Sequence, residues 1–232
     1  MKTMILAAGR GERMRPLTDR IPKPLIPVVG RPLIVHLIHR LVREGFADLI
    51  INTAYLAASL ETALGDGQKF GARIRYSRES PHALDTGGGI RHALPLLGPD
   101  PFLVLNGDLW TDYPFSRLLE KPSKLAHLVL VPNPPHNPVG DFFLLPETGK
   151  QGCVSNREGE RLTFSGVGVY RPALFHGSEP GISPLRPILD RAIDAGQVTG
   201  ERYLGVWRDI GTLERLREIT FGVGAIKQVG ET

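Results

Sequence analysis

The chain is organised around the segment Ile5-Leu6-Ala7-Ala8-Gly9-Arg10-Gly11-Glu12-Arg13-Met14-Arg15-Pro16-Leu17-Thr18. The apolar run that ends at Leu6 predicts a buried first strand. The small residues and glycines that follow let the backbone bend, so that its N–H groups can approach an anion closely. Arg10, Arg13 and Arg15 add three cations in or beside this loop. Charges and bare N–H groups in this arrangement suit a triphosphate better than a neutral ligand.

Length and composition indicate one globular domain without a nucleic-acid or membrane partner. The 232 residues suffice for one well-packed core and are few for two full domains. The net charge of +4 comes from scattered Lys and Arg, so no basic run predicts a nucleic-acid partner. The lone Cys153 excludes an internal disulfide and a cysteine-based zinc site. No apolar run reaches the roughly 18 residues of a membrane span, and we expect a cytoplasmic monomer that binds no membrane.

Predicted strands and helices alternate along the chain. The predicted strands cover residues 4–6, 48–53, 73–77, 102–106, 126–131, 141–145, 163–170 and 203–209, and the predicted helices cover 32–45, 55–64, 90–97 and 183–195, with a last helix from 212. This alternation predicts an α/β fold with a mostly parallel central sheet. Strands 141–145 and 163–170 suggest a small antiparallel part beside it.

A second glycine-rich segment, Asp85-Thr86-Gly87-Gly88-Gly89, precedes the predicted helix 90–97. Each glycine lowers helix stability by about 1 kcal/mol relative to alanine. The triplet therefore predicts a flat ligand lying against the backbone, with a bulge or a close helix contact as the alternative.

Two aspartates stand where predicted strands end, Asp108 and Asp209. In an open parallel sheet, ligands bind beyond the carboxyl ends of the strands. Two carboxylates beside a phosphate loop suit Mg²⁺, which takes one or two carboxylates together with phosphate oxygens and water. Arg15 and Lys23 would hold other phosphate oxygens. Each feature alone has a simpler explanation, such as a tight turn, a helix N-cap or a solvated lysine, but their combination favours a nucleotide site.

Longer motifs run through the same segments. They are Leu6-Ala7-Ala8-Gly9-x-Gly11-x-Arg13-Met14-x-Pro16-Leu17-Thr18, Pro22-Lys23-Pro24-Leu25, Asn106-Gly107-Asp108 and Trp207-x-Asp209-x-Gly211-Thr212. Together they resemble the signature of the sugar-1-phosphate nucleotidyltransferases over nearly the whole chain. The resemblance implies a Rossmann-like three-layer sandwich, the nucleotide-diphospho-sugar transferase fold. Segments 85–90, 93–98, 106–113, 140–142 and 164–167 are most similar to short members that transfer UMP from UTP to N-acetylmuramic acid 1-phosphate in peptidoglycan recycling.

The resemblance also implies a role for each matching residue. The catalytic residues would be Arg15, Lys23 and Asp108, and the Mg²⁺ ligands Asp108 and Asp209. The nucleotide would be bound by Leu6, Ala7, Ala8, Gly9, Gly11, Glu12, Arg13, Lys23, Asp85, Gly87 and Gly88. The sugar would be bound by Asn106, Asp141 and Glu158.

The sequence departs from the family in two places. Many relatives carry a Glu-Lys-Pro segment whose lysine binds the sugar phosphate, whereas residues 155–159 here read Ser-Asn-Arg-Glu-Gly. Arg157 or Glu158 would then contribute instead. Many relatives also add a left-handed β-helix, whereas residues 1–225 are expected here to form a single nucleotidyltransferase domain with no C-terminal β-helix domain.

Other functions remain open at this point. A guanylyl- or thymidylyltransferase acting on mannose or glucose 1-phosphate is the near alternative. A non-catalytic nucleotide-sugar-binding regulatory protein could dispense with Arg15, Lys23, Asp108 and Asp209, all of which are present. A dinucleotide-dependent dehydrogenase is disfavoured, because Met14 stands where the third glycine of G-x-G-x-x-G would be.

Overall fold

A computed structural model describes residues 1–120, 124–145 and 152–222. The strands are β1 (Thr3–Leu6), β2 (Pro27–Val28), β3 (Arg31–Pro32), β4 (Asp48–Thr53), β5 (Arg73–Arg78), β6 (Phe102–Asn106), β7 (Leu109–Thr111), β8 (Ala126–Val131), β9 (Phe142–Leu144), β10 (Gly152–Ser155), β11 (Glu160–Tyr170), β12 (Val198–Arg202) and β13 (Trp207–Asp209). The helices are α1 (Leu33–Arg43), α2 (Ala57–Leu64), α3 (Asp85–Leu97), α4 (Leu185–Asp194) and α5 (Leu213–Gly222).

One mixed sheet runs through most of the molecule in the order β5-β4-β1-β6-β11-β8-β12-β10-β9. Strands β5, β4, β1 and β6 are parallel neighbours, and β12 is parallel to β8. Strand β11 runs antiparallel to both β6 and β8, so six of the seven strands from β5 to β12 share one direction. The α/β class with a mostly parallel sheet is confirmed. Strands β9 and β10 and the start of β11 form the small antiparallel part.

Both faces of the sheet are buried, which gives three layers. Met4 of β1 belongs to a core cluster that includes side chains of α3 and α4. The next residue, Ile5, belongs to a second cluster with side chains of α1 and α2. Because successive side chains of a strand point to opposite faces, the apolar run of β1 requires cover on both sides. Burying each such aliphatic side chain contributes about 1.5–3 kcal/mol.

Several elements differ from the sequence prediction. Strands β7, β10 and β12 were not predicted, and the last strand is confined to Trp207–Asp209. The sequence of β12 is Val-Thr-Gly-Glu-Arg, which has too little apolar character to identify a strand, yet its backbone pairs with β8 on one side and β10 on the other. Helix α3 begins at Asp85, so the glycine triplet lies inside the helix rather than before it.

Two further features concern the chain as a whole. Within the described ranges, no helix has both the length and the apolar character needed to cross a membrane. The predicted end of the domain at residue 225 lies outside the described residues.

Candidate active site

A cleft of about 380 Å³ opens where β1, β4 and β6 end. Its lining residues are Leu6, Ala7, Ala8, Gly9, Gly11, Glu12, Arg13, Lys23, Pro24, Asn52, Glu79, Ala83, Asp85, Thr86, Asn106, Gly107, Asp108 and Gly211. Most of the residues predicted to bind the nucleotide are in this set, and the predicted sugar-binding residue Asn106 is too. The cleft therefore lies at the carboxyl edge of the parallel strands, where ligands bind in open α/β sheets.

The loop after β1 is shaped by Gly11 and by contacts to its neighbours. Gly11 has φ of +71°, in the left-handed region, and a Cβ there would lie 3.2 Å from the Lys23 Cβ. The hydroxyl of Thr18 donates to the carbonyl of Gly11 at 3.0 Å, and the Ala7 N–H donates to Asn52 Oδ1 at 2.7 Å. These contacts fix the backbone of the loop over the cleft and bring it close to Lys23, which only glycine at position 11 allows.

The three arginines of the loop lie in different surroundings. Arg15 Nε is 2.9 Å from Asp19 Oδ1, its side chain is 52% exposed, and it is not part of the cleft lining. Arg10 also pairs with acidic neighbours, Glu12 at 3.3 Å and Asp19 at 3.9 Å. Arg13 lines the cleft and has no ion pair with any residue that the structure describes. Of the three cations, Arg13 is therefore the one available to an anionic ligand in the cleft.

Lys23 and Asp108 form an ion pair at the base of the cleft. Lys23 Nζ donates to Asp108 Oδ2, and the two side chains are only 14% and 20% exposed. Both residues line the cleft. Because partial burial reduces screening by water, the pair places two strong and opposite charges next to the loop that follows β1.

Asp209 reaches the same region through a two-stranded ribbon formed by β7 and β13. Asp209 is the register partner of Leu109, and the N–H of Ile210 donates to the carbonyl of Asp108 at 2.9 Å. The Asp209 carboxylate is bound by the Arg215 guanidinium and lies 3.0 Å from His136 Nε2. The structure thus brings together the two aspartates that the sequence predicted as metal ligands, each already paired with a cationic side chain.

The two aspartates fit a divalent cation that is completed by substrate. Within the described ranges, no group of three or more His, Cys, Asp or Glu side chains could hold a metal on its own. Mg²⁺ is usually bound by one or two carboxylates, with phosphate oxygens and water as the other ligands. Asp108 lines the cleft and Asp209 lies behind it, and both carboxylates are hard oxygen donors of the kind that Mg²⁺ takes. Lys23 and Arg215 would then share their partners with the metal.

Asn52 and Glu79 line the cleft and were not identified from the sequence. Glu79 is 5% exposed, and its carboxylate accepts from Asn52 Nδ2 at 2.7 Å and from the Leu84 N–H at 2.6 Å. Asn52 thereby links this carboxylate to the N–H of Ala7. One signal was present in the sequence: Asn52 is a polar residue near the carboxyl end of an apolar strand, as Asn106 is in β6.

The glycine triplet packs against the protein itself. A Cβ on Gly88 would lie 2.2 Å from the Gly181 carbonyl oxygen, and one on Gly87 would lie 2.8 Å from the Pro184 carbonyl oxygen. The Gly88 N–H donates to the Ser183 carbonyl at 2.9 Å. These two glycines therefore allow a close contact between α3 and residues 181–184, as the alternative prediction of a close helix contact proposed. Asp85 lines the cleft, whereas binding of the nucleotide by Gly87 and Gly88 stays a prediction.

The other two residues predicted to bind the sugar lie outside the cleft lining. The Asp141 carboxylate accepts from the Phe164 N–H at 2.8 Å and from Asn137 Nδ2 at 3.2 Å, so it fixes its loop to β11. Glu158 is exposed in the turn between β10 and β11, where its N–H donates to Ser155 Oγ at 3.3 Å. Their contact with a sugar stays a prediction.

Comparison of the sequence with known proteins finds nucleotidyltransferases in each case. A family model described as nucleotidyl transferase matches residues 2–142. The chain is 51% identical to an N-acetylmuramate alpha-1-phosphate uridylyltransferase of Neisseria meningitidis serogroup B, with 98% of this chain and 100% of that protein covered. A protein of the same description from Caulobacter vibrioides is 32% identical, with 90% of each chain covered. A mannose-1-phosphate guanyltransferase of Hypocrea jecorina is 43% identical over 52% of this chain and 34% of its own length.

A solved structure shares the fold. It is the crystal structure of a putative glucose-1-phosphate thymidylyltransferase from Bacillus anthracis in complex with a sucrose. The two chains superpose with a TM-score of 0.83 over 100% of this chain and 97% of the other, at 22% identity. The two proteins therefore share this fold although their sequences have diverged.

Proposed function

The chain belongs to the nucleotidyl transferase family, and from this we propose that it transfers UMP from UTP to N-acetylmuramic acid 1-phosphate, giving UDP-N-acetylmuramate and pyrophosphate. The observation that carries the proposal is the convergence of Arg13, Lys23 and Asp108 on a cleft walled by the loop after β1. The full-length similarity to a uridylyltransferase supports the choice of base and sugar. The product is a nucleotide sugar, and the reaction would serve peptidoglycan recycling.

The residues of the cleft have complementary roles in this reaction. The backbone from Ala7 to Arg13 wraps the triphosphate, and the Arg13 guanidinium holds phosphate oxygens that become the leaving pyrophosphate. The Lys23 ammonium group leaves its ion pair with Asp108 and binds the α-phosphate. Asp108 and Asp209 would hold Mg²⁺, which would supply neutralisation of the phosphate charge. A phosphate oxygen of the acceptor forms the new bond to the α-phosphorus as the bond to the bridging oxygen breaks, so no covalent enzyme intermediate is needed.

A pyrophosphate-release assay tests the proposal. The protein is incubated with Mg²⁺ and each combination of UTP, GTP or dTTP with N-acetylmuramic acid, mannose or glucose 1-phosphate. We expect release with UTP and N-acetylmuramic acid 1-phosphate to exceed every other pair, and a chelator to abolish it. Faster release with GTP and mannose 1-phosphate would favour the guanylyltransferase alternative, which the Hypocrea relative makes the specific competitor.

The variant Asp108→Asn separates an enzyme from a nucleotide-sugar-binding regulatory protein. The change removes one carboxylate charge from the cleft and leaves Lys23 without its partner. An enzyme that uses this carboxylate should lose pyrophosphate release while circular dichroism shows that the fold is kept. Unchanged release by the variant would remove Asp108 from the catalytic machinery.

A further inference from the structure

Arg215, in the first turn of α5, is held rigidly beside the cleft. Its side chain is 13% exposed, its Nη1 donates to Asp209 Oδ1, and its Nε donates to Thr212 Oγ1 at 3.4 Å. The same Nη1 lies 3.1 Å from His136 Nε2. Among the described residues, the Nη2 atom alone of this guanidinium has no hydrogen-bond partner.

The free Nη2 atom lies near a glycine of the cleft wall and near the guanidinium of Arg13. A Cβ placed on Gly211 would lie 2.9 Å from Arg215 Nη2 and 3.0 Å from Arg13 Nη2. Both guanidinium groups therefore flank the same point, and Gly211 lines the cleft. A side chain at position 211 would occupy the space between them, so the glycine keeps open a gap bordered by two cations.

Of the two guanidinium groups beside this gap, only that of Arg215 pairs with a carboxylate among the described residues. Arg13 has no ion pair with a described residue, and Arg215 shares the single carboxylate of Asp209 with His136. Arg215 is 13% exposed and Arg13 is exposed to solvent, so an anion can reach both guanidinium groups and offset the repulsion between their like charges. Guanidinium groups bind phosphate through paired N–H donors, which a lysine cannot reproduce.

We propose that Arg215 is a phosphate-binding residue that holds one phosphate group together with Arg13 across Gly211. The inference rests on the proposed function and extends it, because it assigns a residue of α5 to the substrate rather than to Asp209 alone. The shared chemistry is a phosphate oxyanion, which either the triphosphate or the sugar 1-phosphate can supply. Arg215 is anchored through Nε and Nη1, so the donor that it offers is already positioned before the ligand arrives.

Binding of pyrophosphate, of UTP and of N-acetylmuramic acid 1-phosphate in the presence of EDTA tests this assignment without turnover or metal. We expect Arg215→Ala to weaken binding of the phosphate-bearing ligand about tenfold to hundredfold, since charge-assisted hydrogen bonds contribute roughly that much. Gly211→Ala, which keeps both arginines, should weaken the same ligand. Arg217→Ala is the matched control, because Arg217 is exposed on the same helix and we expect no change in affinity.

The outcomes separate the possible sources and the opposing explanation. Weaker binding of pyrophosphate and UTP in the Arg215 and Gly211 variants places the gap on the nucleotide side, and weaker binding of the sugar phosphate alone places it on the acceptor side. If Arg215 only supports Asp209, metal-free binding of all three ligands will equal that of the wild type and the proposal is overturned. A wild-type protein that binds none of them without metal overturns it as well. Failure of the proposed function would appear instead in the pyrophosphate-release panel, with these affinities unaffected.

A double-mutant comparison gives a second measure. If Arg13 and Arg215 bind the same phosphate, the loss in the Arg13→Ala, Arg215→Ala double variant will be smaller than the product of the two single losses, because the remaining guanidinium cannot hold that group alone. Losses that simply multiply would mean that the two residues act at separate places, which contradicts the proposal.

Discussion

Arg13 and Arg15 carry the same charge two positions apart, but only Arg13 lies at the cleft. Arg13 lines the cleft, and Arg15 lies 2.9 Å from Asp19 on the outer side of the loop. We expect Arg13→Ala to lower kcat/KM for UTP about a hundredfold or more, because it removes the guanidinium that the proposed function assigns to the leaving pyrophosphate. Arg15→Ala should cost only a few-fold, through the loss of an exposed ion pair. Steady-state kinetics of both variants, with melting temperatures as the control, decides between them.

The reverse ranking would support the catalytic role that the sequence predicted for Arg15. The sequence alone could not separate the two arginines, since both lie in one glycine-rich loop. The separation comes from the short turn over Glu12–Met14, which buries Met14 and directs its neighbours to different sides. The position of this turn depends on the hydrogen bond from the Thr18 hydroxyl to the Gly11 carbonyl and on the close approach of Gly11 to Lys23, which only the folded chain provides.

At the scale of single elements, helix α3 contains residues that helix propensity disfavours but that tertiary packing requires. Its three glycines are unfavourable for a helix, yet the backbone of residues 181–184 lies so close to Gly87 and Gly88 that no Cβ fits there. Composition predicted a flat ligand at residues 85–89, with a bulge or a close helix contact as the alternative, and a close contact is observed at Gly87 and Gly88. The identity of the neighbour could not be predicted, because residues 181–184 come nearly a hundred positions later in the chain. Strand β12 was missed because its own sequence has little apolar character and its backbone pairing with β8 and β10 leaves no local signal.

Alanine at two glycines tests this view of α3. Gly88→Ala should destabilise the protein by about 1–2 kcal/mol, since the overpacking against the Gly181 carbonyl outweighs the gain in helix propensity. Gly9→Ala is the matched variant, because a Cβ there meets no atom within 4 Å while the residue lines the cleft. It should leave the free energy of unfolding within about 0.5 kcal/mol of the wild type and weaken UTP binding. Urea unfolding and UTP titration measure both; equal stability of the two variants would contradict the packing argument.

The contact between α2 and β5 predicts a dependence of stability on pH. The hydrogen bond from Arg78 lowers the pKa of Glu61 below its ordinary value of 4.5, against the effect of burial and with a contribution from Thr53. A carboxyl whose pKa is lower in the folded state stabilises the protein above its unfolded pKa, and this contribution is lost as the pH falls through the folded pKa. Glu61→Gln should therefore lower Tm at pH 7.

The difference in Tm between the wild type and Glu61→Gln should shrink steadily as the pH is lowered from about 5 to about 3. Glu218→Gln is the control, because Glu218 is exposed on α5 and should change Tm little at any pH. Thermal melts in buffers of constant ionic strength provide the measurement. A difference that stayed constant down to the lowest pH would show that the Glu61 carboxylate is not stabilised by Arg78.

At the scale of the whole molecule, the site is assembled from parts that are distant in sequence and are brought to one sheet edge. The loop after β1, Asp108 and Asn106 could be predicted, because motifs and apolar strands mark where the chain emerges from the sheet. The ribbon of β7 and β13 carries Asp209 to Asp108, and its pairing joins residues about a hundred positions apart. Contacts of Arg215 and His136 with Asp209 depend on how α5 and the loop of residues 132–138 pack, for which the sequence holds no local signal.

The same ribbon contains both tryptophans of the chain and reports on how the molecule unfolds. Trp207 donates its indole N–H to the Ser165 carbonyl of β11 at 2.9 Å, and the ring of Trp110 lies 5.1 Å from that of His36 in α1. Because these contacts tie the ribbon to the main sheet and to a core helix, we expect one cooperative transition in urea, with tryptophan fluorescence and far-UV circular dichroism giving the same midpoint. In the Trp207→Phe variant, the remaining Trp110 fluorescence should change at the same urea concentration as the far-UV circular dichroism of that variant. A fluorescence transition at lower urea than the circular dichroism transition would mean that the ribbon, and with it Asp209, opens before the sheet unfolds, and the single-domain arrangement would be wrong.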